Sequence, residues 1–159
     1  GMAYDHFGGS VALSSDGSLA LVGASADDVA AGSAHVFLRT GTAWAQEATL
    51  LASDGAALDA FADSVALSSD GSLALVGASE DDTAGGSDAG SARVFLRAGT
   101  TWAEEAALVA PDAMAGDFFG ASGALSSDGS RGLVGASRDD TPGGVDAGSA
   151  RVFALPAAP

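Results

Sequence analysis

The 159-residue sequence has no cysteine and no lysine, and carries just two tryptophans, one tyrosine and four prolines. Lack of cysteine excludes a disulfide framework, a thiol nucleophile and Cys-ligated zinc, but leaves the compartment open, because many bacterial secreted proteins also lack disulfides. With no lysine, the basic charge rests on six arginines against 21 acids, a net charge of −15. Such a surface repels a phosphate backbone, so no nucleic acid and no anionic membrane surface is expected as partner. No apolar run approaches the roughly 20 residues of a spanning helix, so no membrane insertion is expected, and no basic-then-apolar start marks a signal peptide. Gly1-Met2 reads as a tag remnant ahead of a start methionine, which leaves a native targeting segment open. What the sequence has in excess is small: 37 alanines and 23 glycines. At 47% apolar residues and a mean hydropathy of +0.27, it is nonetheless too apolar for a self-repelling disordered chain. The acid excess fits either salt adaptation or an alanine-rich coding bias that replaces Lys by Arg; stability measured against NaCl separates the two.

Self-comparison decides the architecture. Ser10 to Ser25 recurs without change as Ser64 to Ser79, and again with substitutions as Ser122 to Ser137. Gly90-Ser-Ala-Arg-Val-Phe95 recurs at Gly148 to Phe153 and, with His35 in place of the arginine, at Gly32 to Phe37. Thr101-Trp-Ala-Glu-Glu-Ala has one counterpart, Ala43-Trp-Ala-Gln-Glu-Ala, and none after Phe153. The chain is thus about two and three-quarter copies of one unit. Within a unit the apolar stretches are short and separated by turn chemistry, as strands are. Ser64 to Ser68 and Leu73 to Gly77 form the first two, joined through Asp70-Gly71, a pair that suits a hairpin. Ala92 to Arg97 is the third strand and Trp102 to Val109 the fourth. Small residues on the first two strands and Phe95 and Trp102 on the outer two suit wedge-shaped sheets packed around an axis. The expected fold is therefore all-β: propeller blades of four antiparallel strands. Residues 1–9 form an N-terminal segment, 10–59 the first blade, 60–117 the second, 118–155 a third lacking its fourth strand, and 156–159 a tail.

The residues that carry a resemblance are Phe7-Gly8 with Ser10-Val11-Ala12 and Val22-Gly23-Ala24-Ser25, repeated by Phe61-Ala62 with Gly77-Ala78-Ser79 and by Phe119-Gly120 with Gly135-Ala136-Ser137. The chain resembles the FG-GAP repeat, the blade unit of integrin α-subunit propellers and of some bacterial and fungal surface proteins and lectins. Ser stands where the family commonly has Pro, and Ala62 replaces one Gly. The resemblance implies a propeller and a secreted or cell-surface location.

Many members of that family bind calcium between the first two strands through closely spaced acids, since a hard cation takes six to eight oxygens. Here each such hairpin has one carboxylate, Asp16, Asp70 or Asp128, and these read as turn residues. The calcium candidates instead lie between the second and third strands: Asp81, Asp82 and Asp88, matched by Asp139, Asp140 and Asp146, with only Asp27 and Asp28 in the first copy. The bland alternative is that Asp and Gly simply build loops. Trp44 and Trp102 could form a sugar-stacking platform, the lectin reading, but each lies five residues after Arg39 or Arg97, which predicts an Arg stacked over each Trp. No Gly-x-Ser-x-Gly elbow occurs, His6 and His35 are not equivalent, and Glu104 and Glu105 point to opposite faces; no enzyme activity is expected. His35 reads as a surface substitution.

Fewer than four wedges cannot complete a ring. Either the sequence is a piece of a larger propeller, or identical chains associate, two copies giving about six blades; a homo-oligomer is expected, because open blade faces would expose apolar patches. Pro156 and Pro159 would blunt the last edge. The function expected is a noncatalytic binding or structural module, the alternative a lectin or calcium-dependent adhesion module with a protein or glycan ligand.

Overall fold

In the computed structural model, which describes residues 5–26 and 31–157, the second unit displays the repeat most fully. Its strands are β5 (Phe61–Leu67), β6 (Leu73–Ala78), β7 (Ser91–Ala98) and β8 (Thr101–Leu108). They are preceded by β1 (Val11–Leu13), β2 (Leu19–Ala24), β3 (Ser33–Thr40) and β4 (Ala43–Leu50), and followed by β9 (Phe119–Leu125), β10 (Arg131–Ala136) and β11 (Ser149–Ala154). Each unit is one antiparallel sheet in chain order, of four, four and three strands. The strands run a residue or more beyond the sequence expectation at several ends; β5 and β9 begin at Phe61 and Phe119 and reach the later register through a bulge. No helix of the described residues is long and apolar enough to cross a membrane.

The central strand β6 is buried along its whole length, because its two faces meet different neighbours. Ala74, Val76 and Ala78 pack with Leu19, Leu21 and Val36 of the first blade. On the other side Leu73 and Leu75, with Val94 of β7, pack against Phe119, Val134 and Ala136 of the third. Apolar residues on both faces of a strand are what a sheet sandwiched between sheets requires. Phe61 meets Phe95 edge to face at 6.2 Å, and Phe119 meets Phe153 in the same way at 5.9 Å. Each pair of rings fills the seam with the preceding blade.

The blades are joined by a device that repeats with the sequence. Ser10 Oγ donates to the Ala62 carbonyl and Ser64 Oγ to the Gly120 carbonyl, each at 2.7 Å. These carbonyls lie against Gly23 and Gly77, where a Cβ would stand 2.2 and 2.0 Å from the oxygen. The Val-Gly-Ala glycine is therefore a place of close backbone approach. At the hairpin end the Ser15 N–H donates to the Ser69 carbonyl, and the Ser69 N–H to the Ser127 carbonyl. At the other end the Phe61 N–H donates to Ala31 and the Phe119 N–H to Ala89. Neighbouring blades thus share backbone and hydroxyl hydrogen bonds as well as apolar area.

Candidate functional site

The hairpins between the first two strands of each blade place their carboxylates in turns. Asp16 Oδ1 accepts from Ser14 Oγ at 2.7 Å, the Ser18 N–H at 2.9 Å and Ser18 Oγ at 2.8 Å. Asp70 and Asp128 repeat the arrangement. The serine hydroxyl bonds, then the backbone N–H, stabilise the carboxylate and lower Asp16 and Asp128 to about 2; Asp70 moves the same way. The turn is wider than a two-residue hairpin: Ser68 and Leu73 close it, and the Gly71 N–H bonds back to Ser68 within it. With one carboxylate per hairpin, its Oδ1 already bonded within its own loop, these donors do not fit a calcium ion.

The loops between second and third strands carry the six candidate acids, and the fold gives them separate tasks. Asp81 receives the Ser91 hydroxyl and, at 3.1 Å, the Arg93 guanidinium. Asp139 faces Arg151 at 3.6 Å. Asp82 accepts the Asp88 N–H at 3.0 Å and Asp140 the Asp146 N–H at 2.8 Å. Those bonds hold Asp88 and Asp146 at φ of 53° and 50°, a left-handed conformation that Asp tolerates better than most residues. Among the described residues, no group of three or more His, Asp or Glu side chains gathers in the way a metal requires. Asp27 and Asp28 lie outside the described residues.

The arginines that engage these loops also tie them to the preceding blade. Arg93 Nη2 lies 2.6 Å from Asp54, and Arg151 Nη2 pairs in the same way with Asp112 at 2.5 Å, both acids sitting in the connections between blades. Arg93 is buried and its Nε stands 3.9 Å from Glu104; Arg151 is more open. His35, at the corresponding position of β3, is half-buried rather than a plain surface substitution: its Nε2 lies 3.0 Å from Ser33 Oγ and its Nδ1 3.2 Å from Gln46 Nε2.

The expected stacking of Arg on Trp is not what the second blade does. Arg97 and Trp102 are cross-strand partners, as their spacing predicts, but both turn toward Glu47 of the first blade. Arg97 donates through Nε at 2.8 Å and Nη2 at 2.6 Å, and Trp102 Nε1 donates at 3.0 Å. A bidentate carboxylate bond is stronger and more directional than an exposed cation–π contact, and it takes the guanidinium away from the ring. Glu47 reaches across because it is the bulged residue of β4, between the pairs Phe37–Gln46 and Val36–Ala48. In the first blade Arg39 and Trp44 are likewise paired, and both are exposed. The cation–π contact found among the described residues is Arg138 over Phe118, at 4.6 Å.

Three acids escaped the sequence reading altogether. Asp5, Asp59 and Asp117 are buried in the approach to each blade's first strand. Asp59 and Asp117 accept the N–H of Ala56 and Met114, and their carbonyls accept from Glu80 and Arg138 of the next loop. Burial first, then the nearby Asp81, Asp82 and Asp54 charges, raise the Asp59 carboxyl above its ordinary value. Their recurrence two residues before Phe7, Phe61 and Phe119 was the available signal. A groove of about 410 Å³ lies beside this end of the second joint, lined by Asp88, Asp117, Phe118, Arg138, Asp140 and Asp146 among others. Taken together, the polar side chains of this end pin loops and blades to one another.

Comparison with known families gives a match to the FG-GAP repeat over residues 1–37, 44–95 and 102–153. Comparison with curated proteins gives no match.

Proposed function

The chain belongs to the FG-GAP repeat family, and from that premise we propose that it is a noncatalytic β-propeller module, serving binding or structure and associating with copies of itself. FG-GAP repeats occur in extracellular and cell-surface proteins, which supports a secreted or surface location. One observation carries the reading. Side chains with chemical potential are engaged at the joints between blades: Glu47 by Arg97 and Trp102, Asp54 by Arg93, Ser64 by a carbonyl. Those same joints would hold any further blade.

Light scattering tests the association. A mass above the 15.2 kDa of one chain at micromolar concentration supports it, and a well-behaved monomer overturns it. A glycan array and a calcium titration of the melting temperature test the alternative, a lectin or calcium-dependent adhesion module. Glycan binding, or a shift specific to calcium over magnesium, would replace the structural reading.

A further inference from the structure

The first and last blades leave two faces uncovered, and each is the counterpart of a face that is covered inside the chain. Toward a preceding blade, the first blade presents Phe7 and Val11, which are 46% and 68% exposed. Their equivalents in the later blades are buried: Phe61 and Phe119 are fully so, and Val65 nearly so. Toward a following blade, the third presents Leu133 and Val152, 44% and 67% exposed, where Leu75 and Val94 of the second are covered by Phe119 and its neighbours. The polar parts of the joint recur as well. Ser122 and Gly135 repeat Ser64 and Gly77, which receive the Gly120 carbonyl, and Gly8 repeats Gly120. Ser127 repeats Ser15 and Ser69, whose N–H groups donate to the Ser69 and Ser127 carbonyls of the following blade, so across the open joint the Ser127 N–H is the group that would meet the Ser15 carbonyl.

We propose that the Phe7 face of one copy docks on the Leu133–Val152 face of a second copy, head to tail, by the joint that already links the blades within the chain. Two such contacts close a ring of two copies. The inference rests on the self-association proposed above and specifies its faces. Beyond continuity with the internal joint, charge favours a second copy as occupant. In the two internal joints, the leucine at position 19 or 73 packs on the hairpin glycine of the next blade, Gly71 or Gly129. In the third blade that leucine is Arg131, which is exposed. Its counterpart glycine on a docking copy is Gly17, next to Asp16, whose carboxylate is held charged by its turn. Arg131 is therefore placed to meet an acid on the first blade of its partner, where a leucine suffices within the chain. The ring has a two-fold axis, and the two contacts reinforce each other because forming the first brings the second pair of faces together.

The absence of cysteine allows a direct test by disulfide trapping. Ser15→Cys with Ser69→Cys, neighbours within one chain, serves as the internal control and closes intramolecularly on mild oxidation. Ser15→Cys with Ser127→Cys places the same pair across the inferred interface, and oxidation gives covalent dimers. In parallel, Phe7→Glu changes both contacts of the ring. At about 30-fold for a central aromatic in each contact, it weakens the dimer about 10³-fold. Val152→Glu, on the opposite face, does the same and covers the case in which the Phe7 variant folds poorly by circular dichroism. An oligomer that survives both glutamate variants and is not trapped by the Ser15→Cys, Ser127→Cys double variant while the control closes overturns these faces and leaves the proposed association standing. A wild-type monomer overturns both. A cross-linked ladder extending beyond dimers overturns the two-copy ring.

Discussion

Replacing Gly77 with alanine separates the joint between blades from the sheet that contains it. A Cβ at Gly77 would lie 2.0 Å from the Gly120 carbonyl oxygen and 2.4 Å from Ser64 Oγ. The hydroxyl can rotate, but the oxygen is backbone of the next blade, so relief requires the blades to part by about 1 Å. Such a gap forfeits a quarter to a half of the local dispersion energy, and overpacking of this kind costs about 1–3 kcal/mol. Loss of the Ser64–Gly120 hydrogen bond adds about 1 kcal/mol, while the stiffer unfolded chain returns about 0.4–1 kcal/mol. The net expectation is a loss of about 2–3 kcal/mol, which for a chain of this size lowers Tm by roughly 4–12 °C. The equivalent Gly135 has the same strand position, but its Cβ would meet Ser122 Oγ at 2.4 Å and nothing else closer than 3.8 Å. Gly135→Ala should therefore stay within about 1 kcal/mol of the parent. Urea and thermal unfolding, run at low protein concentration so that association between copies contributes least, measure the pair. Equal losses for the two variants would refute the close-approach argument, since sheet propensity alone treats them alike.

Other consequences follow from the ion pairs and turns. Arg93→Ala removes a buried guanidinium, 5% exposed, from Asp54 and the half-buried Asp81 and should cost about 3 kcal/mol in urea unfolding, whereas Arg151→Ala, whose guanidinium is 34% exposed in the same arrangement, should cost less. Comparable losses would show that burial does not set their worth. Glu47→Gln removes the charge that Arg97 and Trp102 share and should cost about 1–3 kcal/mol. It should also alter Trp102 fluorescence and leave that of Trp44 unchanged, which a Trp44→Phe background resolves; an unchanged Trp102 signal would count against the bond. The hairpin carboxyls titrate lower folded than unfolded, so their stabilisation is present above the unfolded value near 4 and is lost as pH falls toward about 2 for Asp16 and Asp128. Asp128→Asn should flatten the fall in stability between those limits, and an unchanged slope would show that the turn does not hold the charge.

The blades were legible because the repeat is nearly verbatim and its turns carry Asp-Gly and Gly-Thr. Phe7, Phe61 and Phe119 carried the family resemblance, and the small residues of the first two strands of each unit announced closely packed sheets. The joint was less legible. Ser64 and Gly77 repeat conspicuously, yet a serine on a strand and a glycine before an alanine look the same whether they face solvent or a neighbouring carbonyl. Arg97 and Trp102 were correctly paired across their turn, but their shared partner is 50 or more residues away in another blade, and a bulge that no residue type announces directs Glu47 toward them. The loop acids were read as a group because they are close in sequence. In the fold Asp81 turns inward to Arg93, while Asp82 binds the backbone of Asp88. One regularity could have revealed this: 39 residues separate Asp54 from Arg93 and Asp112 from Arg151 alike.

Solution X-ray scattering of the unmodified chain tests the central claim, that one repeated joint both links the blades and closes the assembly. A closed two-copy ring requires a particle of twice the 15.2 kDa chain mass, with a compact distance distribution. A particle of one chain mass, or an elongated one whose length grows with concentration, would contradict it.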